Sequence, residues 1–283
     1  MSCGANAFIP GELRPLETTD CTKCGAELMM PMMLEHFELN SRIAAGGMGT
    51  VYRATDRVLK RDVAIKLMQP ELADDEEGLE SFYAEARAVA RLNHTNIIHL
   101  YQFGRYNEQL YLVMELALAG SLDRLIDQLG TVPELRVLDI GIKISSALDT
   151  ALKNKLLHRD ISLQNILLKV FGSGAVLVKL SDFGLVKDQA SEFTRTQTEM
   201  KGTVRDPMLG SFKDYAVVNE MYAIGHVLAY IFKGRESLPP ATDEVGRIIH
   251  KCAVNDLDQR YRAVTELIAE VERLEAPPVQ ATA

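Results

Sequence analysis

Three short strings in the sequence carry side chains that could bind phosphate groups and a metal ion. Lys66 ends the apolar run VAIK, and Asp182 opens DFG. Between them Asp160 ends HRD, and Asn165 follows it. A single lysine is usually a surface residue, and a single Asp or Asn in a loop is usually a turn former. Their occurrence together, in this order, is better explained by one shared ligand, a nucleoside triphosphate with its metal ion.

A glycine-rich turn lies upstream of the lysine. Gly46, Gly47 and Gly49 stand between two β-rich runs, and this pattern predicts a hairpin. Glycines let backbone N–H groups approach phosphate oxygens without an intervening side chain. A flexible hairpin turn is the alternative reading of such a string taken alone. The next predicted strands are Asp62–Met68, Ile98–Phe103 and Gln109–Met114.

One acidic residue is predicted to face inward from the helix that follows the lysine strand. Glu85 lies in a helical stretch that runs to about Leu92. Phe82, three positions before it, and Val89, four after it, share its side of the helix. Other acids nearby read as a solvated face. Glu85 is therefore the candidate partner for a buried cation.

Two further helices are predicted downstream. Pro133–Leu156 reads as one long amphipathic helix that leads directly to the HRD string. The stretch Met221–Phe232 is the most apolar of the chain, but it contains His226 and is too short to cross a bilayer. It is predicted to be a buried helix.

Taken together, these strings resemble the protein kinase family, in the eukaryotic-like Ser/Thr form found in bacteria, over about residues 37–274. The motif GGMG-x-VY around Met48 is especially similar to that of bacterial Ser/Thr kinases. The resemblance implies an α+β, two-lobed kinase-like fold. A small antiparallel β-sheet lobe with one helix would span 37–115, and a larger, mainly helical lobe 119–275. Residues 1–36 would form a separate segment and residues 276–283 a tail.

The resemblance also assigns chemical roles. Lys66 would hold the α- and β-phosphates of ATP and pair with Glu85. Asp160 would orient the substrate hydroxyl and accept its proton late in the transfer. Asn165 and Asp182 would bind Mg²⁺ that bridges the phosphates. The implied reaction moves the γ-phosphate of ATP to Ser or Thr of a protein, with this chain itself among the candidate acceptors.

A nucleotide pocket follows from the same resemblance. Met114 would lie behind the adenine, Glu115 and Ala117 would offer backbone groups to it, and Val51 and Leu167 would contact its faces together with an alanine. The implied nucleotide-binding residues are Ile43, Ala44, Gly46, Gly47, Gly49, Val51, Ala64, Lys66, Met114, Glu115, Ala117 and Leu167.

Arg159, directly before the catalytic aspartate, resembles that of kinases controlled by phosphorylation of the activation segment. A phosphate on that segment would pair with Arg159 and order it. The hydroxyl residues available for this role are Ser191, Thr194, Thr196 and Thr198.

Four positions depart from the family pattern. Ala44 replaces the first glycine of the loop, and Ser162 stands where a lysine normally faces the transferred phosphate. The APE string is missing, which leaves Asp206 as a stand-in partner for Arg260. Glu220 replaces the helix aspartate that supports the catalytic loop.

These departures leave two alternatives to a protein kinase. A nucleotide-binding pseudokinase would signal by conformation or docking, although the phosphate and metal ligands are intact. A small-molecule kinase is allowed by the short stretch Gly234–Asp243, which trims the peptide-docking region. The long stretch Asp182–Thr203 fits a protein substrate better.

The first 36 residues contain a broken repeat of CGA strings. Cys3 begins one copy, while Cys21 and Cys24 form a C-x-x-C in the second, the spacing at which two thiolates reach one zinc ion. The pattern resembles a zinc ribbon that lacks its fourth cysteine. Water, His36 or a neighbouring chain would complete the metal shell. The alternative is a metal-free segment with ordinary thiols.

Bulk composition excludes some classes. The chain has 283 residues, a net charge of −8 and a pI near 5.4, which gives no reason to expect nucleic-acid binding. Four cysteines fit a reducing compartment better than a disulfide framework. No signal-peptide pattern opens the sequence. We expect a cytoplasmic protein without a membrane span.

Overall fold

The computed structural model describes residues 13–129, 134–171, 176–183, 187–188, 205–233, 238 and 241–273. These residues form two compact units. The small unit holds the described residues up to 86 together with 99–116, and the large unit holds 87–98 and the described residues from 117 onward.

The small unit is built on a six-stranded antiparallel sheet. Its order is β3-β4-β5-β6-β8-β7. The strands are β3 (Met32–Leu34), β4 (Phe37–Ala45), β5 (Gly49–Asp56), β6 (Arg61–Met68), β7 (Leu100–Tyr106) and β8 (Gln109–Met114). A 3₁₀ turn at Pro70–Leu72 leads to helix α1, Glu76–Ala90. The predicted strands and the helix with Glu85 are present, with ends that differ by at most three residues.

Side chains of β6 serve two separate apolar layers because successive residues of a strand point to opposite faces. Met68 packs against Phe82 and Ala86 of α1 on one face. Val63, Ile65 and Leu67 pack on the other face. The sheet therefore has a buried core on both sides.

The second layer reaches into the residues before 37. Strands β1 (Thr18–Asp20) and β2 (Glu27–Met29) form a hairpin, and β3 joins the main sheet beside β4. Met29 and Leu34 are buried in the same cluster as Val63, Ile65 and Leu67. The apolar core of the small unit thus continues across residue 37, the boundary predicted from the sequence.

The large unit is mainly helical. Its helices are α2 (Leu122–Leu129), α3 (Glu134–Lys153), α4 (Val217–Lys233), α5 (Glu244–Ala253) and α6 (Val264–Glu272). Short antiparallel pairs join β9 (Leu156–Leu157) to β12 (Lys187–Asp188) and β10 (Ile166–Val170) to β11 (Val176–Leu180). A 3₁₀ turn covers Phe212–Asp214. Helices α3 and α4 correspond to the two helices predicted in this region.

Helices α4 and α5 approach closely at a glycine. A Cβ atom on Gly225 would lie 2.8 Å from the Cβ atoms of both Cys252 and Ala253. Cys252 is fully buried there.

Across the part of the chain described, no helix is long and apolar enough to cross a membrane.

Candidate active site

The small unit contains a buried ion pair between the predicted phosphate ligand and the predicted helix acid. Lys66 Nζ lies 2.8 Å from each carboxylate oxygen of Glu85. Their side chains are only 8% and 3% exposed. The β6 alternation points Lys66 toward α1, and the apolar Phe82 side of α1 turns Glu85 inward. Both charges have a partner, which a desolvated pair requires.

Strand register brings several predicted nucleotide-binding residues to the face that carries Lys66. Val51 lies directly opposite Lys66, and it also lies opposite Ala44 on the other neighbouring strand. Ala64 lies opposite Met114. Residues directly opposite in an antiparallel pair share one face. These five side chains therefore line the same side of the sheet.

The glycine turn between β4 and β5 needs a glycine at one position for packing. A Cβ atom on Gly49 would lie 2.2 Å from the carbonyl oxygen of Leu67. The N–H of Gly46 donates to Gly49 O at 3.0 Å, and Gln69 Nε2 donates to Gly46 O at 2.7 Å. Space beside Gly46 and Gly47 is open. The turn is held by its own backbone and by Gln69, with two glycines exposed as the sequence predicts for phosphate approach.

In the large unit the HRD string forms a tight loop around Asp160. Asn165 Nδ2 donates to the backbone oxygen of Asp160 at 2.8 Å and to its Oδ2 at 3.0 Å. These two bonds use the amide hydrogens of Asn165, and its Oδ1 is the atom that the prediction assigns to the metal. The predicted catalytic carboxylate and the predicted metal ligand are thus fixed relative to each other.

His158 ties this loop to the segment that carries Asp182. The N–H of Asp160 donates to His158 Nδ1 at 3.2 Å, so Nε2 carries the ring hydrogen and donates to Ser181 O at 3.0 Å. Burial lowers the pKa of His158, which keeps the ring neutral. Ser181 in turn donates from both its N–H and its Oγ to Asn165 O. The ring of Phe183 lies 4.5 Å from that of His158.

Glu220 of α4 holds the backbone directly before Asp160. Its Oε1 accepts the N–H of Arg159 at 2.9 Å. Arg159 is buried and has φ +67°. This left-handed backbone conformation costs energy for a residue other than glycine. Burial raises the pKa of Glu220 to about 7, against partial compensation by backbone N–H groups of Arg159 and His158. The carboxyl therefore stabilises a strained loop from inside the protein.

This pKa predicts a pH-dependent stability that the variant Glu220→Gln should lack. The folded carboxyl holds its proton up to about pH 7 and the unfolded one only to 4.5, its ordinary value. The stabilisation is complete below pH 4.5 and is lost as pH rises through 7. We expect the parent to lose about 3 kcal/mol relative to Glu220→Gln on going from pH 4.5 to 8, because each pKa unit corresponds to about 1.4 kcal/mol.

The measurement is urea unfolding of both proteins across this range. The difference between parent and variant removes the titration of the histidines, which is common to both. Parallel pH profiles for the two proteins would contradict the assignment.

Asp182 and Ser162 stand beside the loop in the large unit. Asp182 is exposed and has φ +59°, while Ser162 is buried.

Leu167 lies on β10 and Ala117 precedes α2, both in the large unit. In the small unit, Glu115 donates its N–H to His99 O at 2.8 Å, and Ile43 is partly exposed on β4. The described segments do not include Gly184, Ser191, Thr194, Thr196 or Thr198.

The cysteine turn joins β1 and β2. The N–H of Gly25 donates to Cys21 O at 2.8 Å, and the N–H of Cys21 donates to Ala26 O at 2.8 Å. Cys21 is buried and Cys24 is exposed. Among the described residues, no group of three or more His, Cys, Asp or Glu could hold a metal ion. Cys3 lies outside them.

A sequence profile of the protein kinase domain matches residues 37–274 of the 283. The chain belongs to the protein kinase family. The predicted two-lobed α+β kinase fold is confirmed, because a crystal structure of the PknI kinase domain of Mycobacterium tuberculosis superposes with a TM-score of 0.65. That alignment covers 85% of this kinase and 97% of the PknI chain at 21% sequence identity.

Relatives with curated names include bacterial serine/threonine-protein kinases. The probable kinase CPE1738 of Clostridium perfringens is 28% identical over 270 residues, which covers 86% of this kinase and 38% of CPE1738. PknL of Mycobacterium tuberculosis is 38% identical over 165 residues, 58% of this kinase and 40% of PknL. The chain spans about two-fifths of the length of these relatives.

The kinase compensates for its missing APE string with a different acid. Asp206 and Arg260 form a buried ion pair with side chains 1% and 0% exposed. Asn219 Nδ2 also donates to Asp206 Oδ2 at 2.8 Å, and Arg260 donates to the backbone oxygens of Val218 and Val254. The sequence pointed to this pair as a stand-in, and the structure brings the two residues together.

Sequence reasoning missed four residues that hold these parts in place. Gln69 supports the glycine turn, Ser181 links His158 to Asn165, Asn219 completes the Asp206 site, and the Tyr215 ring lies 5.7 Å from the Arg159 guanidinium. Ser181 directly precedes DFG, and this adjacency was the available signal. The others have no motif of their own.

Proposed function

We propose that this kinase transfers the γ-phosphate of ATP to Ser or Thr hydroxyls of protein substrates in an Mg²⁺-dependent reaction. The observation that carries the proposal is the pairing of Asp160 with Asn165 on a loop supported by Glu220. The buried Lys66–Glu85 pair supports nucleotide binding. The curated relatives in bacteria bear Ser/Thr kinase names, which supports the choice of substrate hydroxyl.

Each residue would contribute by position and charge, since phosphoryl transfer requires little covalent chemistry from the protein. The Asp160 carboxylate would orient the acceptor hydroxyl and take its proton as the bond to phosphorus forms. Asn165 keeps that carboxylate in place through its amide hydrogens. Lys66, held by Glu85, would neutralise charge on the α- and β-phosphates while the bond to the γ-phosphate breaks.

The donor set fits Mg²⁺, which prefers oxygen ligands. The amide hydrogens of Asn165 point to Asp160, so its Oδ1 is the atom that can bind a metal, and Asp182 is an exposed residue. Bound there, the metal would neutralise phosphate oxygens. Asn165 and Asp182 are the residues that would hold it.

Ser162 is expected to slow the reaction rather than abolish it. A lost donor to developing charge costs about 3–4 kcal/mol, or roughly 10²–10³ in rate. The remaining ligands are kept, which favours an enzyme over a nucleotide-binding pseudokinase.

Phosphorylation of the activation segment at Ser191, Thr194, Thr196 or Thr198, with Arg159 as its partner, is a further proposal. The cytoplasmic location also stays a prediction.

The test is incubation of the purified chain with Mg²⁺, γ-labelled ATP and a general protein acceptor, followed by identification of the labelled amino acid. Label on Ser or Thr supports the proposal. Nucleotide binding without transfer would favour the pseudokinase, and label only on a metabolite would favour a small-molecule kinase.

We also propose that Cys21 and Cys24, with Cys3, bind zinc. The hydrogen-bonded turn at Cys21–Gly25 supports this, because it holds a C-x-x-C pair in a short loop. We expect about one zinc ion per chain in protein purified under reducing conditions, and much less in Cys24→Ser. Cys252→Ser, which changes a buried thiol in the large unit, is the matched control. A zinc content near zero in the parent would overturn the idea.

A further inference from the structure

Residues 16–34 form a small cover on the nucleotide-binding sheet, here called the N-terminal cover. It consists of the β1–β2 hairpin and β3. The N–H of Leu16 donates to Met30 O and the N–H of Met30 donates to Glu17 O, both at 2.9 Å, which extends the hairpin beyond its strands. Strand β3 pairs with β4 in a register that places Leu34 opposite Phe37.

The N-terminal cover contributes two buried side chains to the apolar layer on the rear of the lysine strand. Met29 and Leu34 are 6% and 1% exposed, and they share one cluster with Ile65 and Leu67. Those two residues flank Lys66 in the chain and point away from it. The layer beneath the N-terminal cover therefore fixes the opposite face of the strand that presents Lys66 to Glu85.

Two polar contacts attach the same region to the sheet. Arg42 Nη2 of β4 donates to Glu27 Oε2 of β2 at 2.9 Å. Glu35, in the turn after the N-terminal cover, has φ +54°, and burial together with the Glu35 carboxylate raises the pKa of the Tyr111 hydroxyl. Tyr111 lies opposite Leu67 in the β6–β8 register. Of these two contacts, the one at Tyr111 therefore reaches the strand that pairs with β6.

We propose that the N-terminal cover is a positioning element for nucleotide binding, in which Met29 and Leu34 set the placement of Lys66 through Ile65 and Leu67. Packed cores transmit displacement because they have few voids to absorb it. Loss of volume under β6 shifts its backbone, and the Lys66–Glu85 geometry shifts with it. The ligand concerned is the nucleoside triphosphate, so the inference rests on the proposed function.

The test compares Met29→Ala and Leu34→Ala with Met33→Ala in the full chain. Met33 lies on β3 as well but is 45% exposed, so it provides the same side-chain truncation without a cavity. The dissociation constant for ATP with Mg²⁺ is measured where circular dichroism shows every variant folded. We expect it to rise about fivefold or more for the two buried positions. Met33→Ala should stay within about twofold of the parent.

Two further measurements separate positioning from stability. Leu34→Met keeps the buried volume and should retain parental affinity. Hydrogen exchange of residues 61–68 should be faster in Met29→Ala than in Met33→Ala. Parental ATP affinity in both buried variants, whatever their melting temperature, overturns the proposal.

Absence of ATP binding in the parent would instead contradict the proposed function. In that case the exchange of residues 61–68 alone decides: faster exchange in Met29→Ala supports the N-terminal cover as a positioning element, and unchanged exchange refutes it.

Discussion

Asp160→Asn is expected to lower the rate of phosphate transfer by about a hundredfold or more while ATP binding is retained, because it removes the proton acceptor but keeps the shape of the side chain. The loop should survive the change. Two of its supports, the Arg159 N–H bond to Glu220 and the Asn165 bond to the backbone oxygen of residue 160, do not involve the altered carboxylate. Initial rates at saturating ATP and acceptor give the result.

Asp258→Asn is the matched control for this experiment. Its side chain is 90% exposed and pairs only at the surface with Arg262. The same carboxylate-to-amide change there should leave the rate at the parental value. Undiminished transfer by Asp160→Asn would remove Asp160 from the mechanism, and equal losses in both variants would point to a general effect on the protein.

Asp206→Ala is expected to lower the free energy of unfolding by about 3–5 kcal/mol, because it leaves the Arg260 charge buried without its counterion. Arg260 has a fully buried side chain, and the same carboxylate also accepts from Asn219 and from the N–H of Met208. One substitution thus removes the acceptor for several donors at once. Urea unfolding at neutral pH measures the loss.

An exposed pair again supplies the comparison. Asp258→Ala breaks an ion pair with side chains 68% and 90% exposed, and such pairs contribute at most about 1 kcal/mol. A loss for Asp206→Ala as small as that for Asp258→Ala would show that solvent reaches Arg260. The double variant Asp206→Leu, Arg260→Leu should recover part of the stability, since apolar side chains can replace a buried ion pair.

Local pattern explains why some of this site was predictable. Lys66 and Glu85 belong to regular elements, and the alternation of β6 and the 3.6-residue period around Phe82 determine which way they face. Asp160 and Asn165 were found from a string with fixed spacing. In each case the information lies within a few residues of the functional group.

Residues that act across the fold could not be found in this way. Asn219 and Tyr215 reach their partners only because the chain passes near Asp206 and Arg159 after long separations. The core role of Met29 and Leu34 was hidden for another reason. Strands β1 to β3 have three residues each, too few to show an alternating pattern.

Cys252 lies at the contact between α4 and α5, so its reactivity reports how often these two helices separate. Burial raises the pKa of Cys252, so little of the reactive thiolate exists while the helices are in contact. An alkylating reagent can therefore react with Cys252 only after the two helices separate. The rate at which Cys252 is alkylated then counts these rare separations.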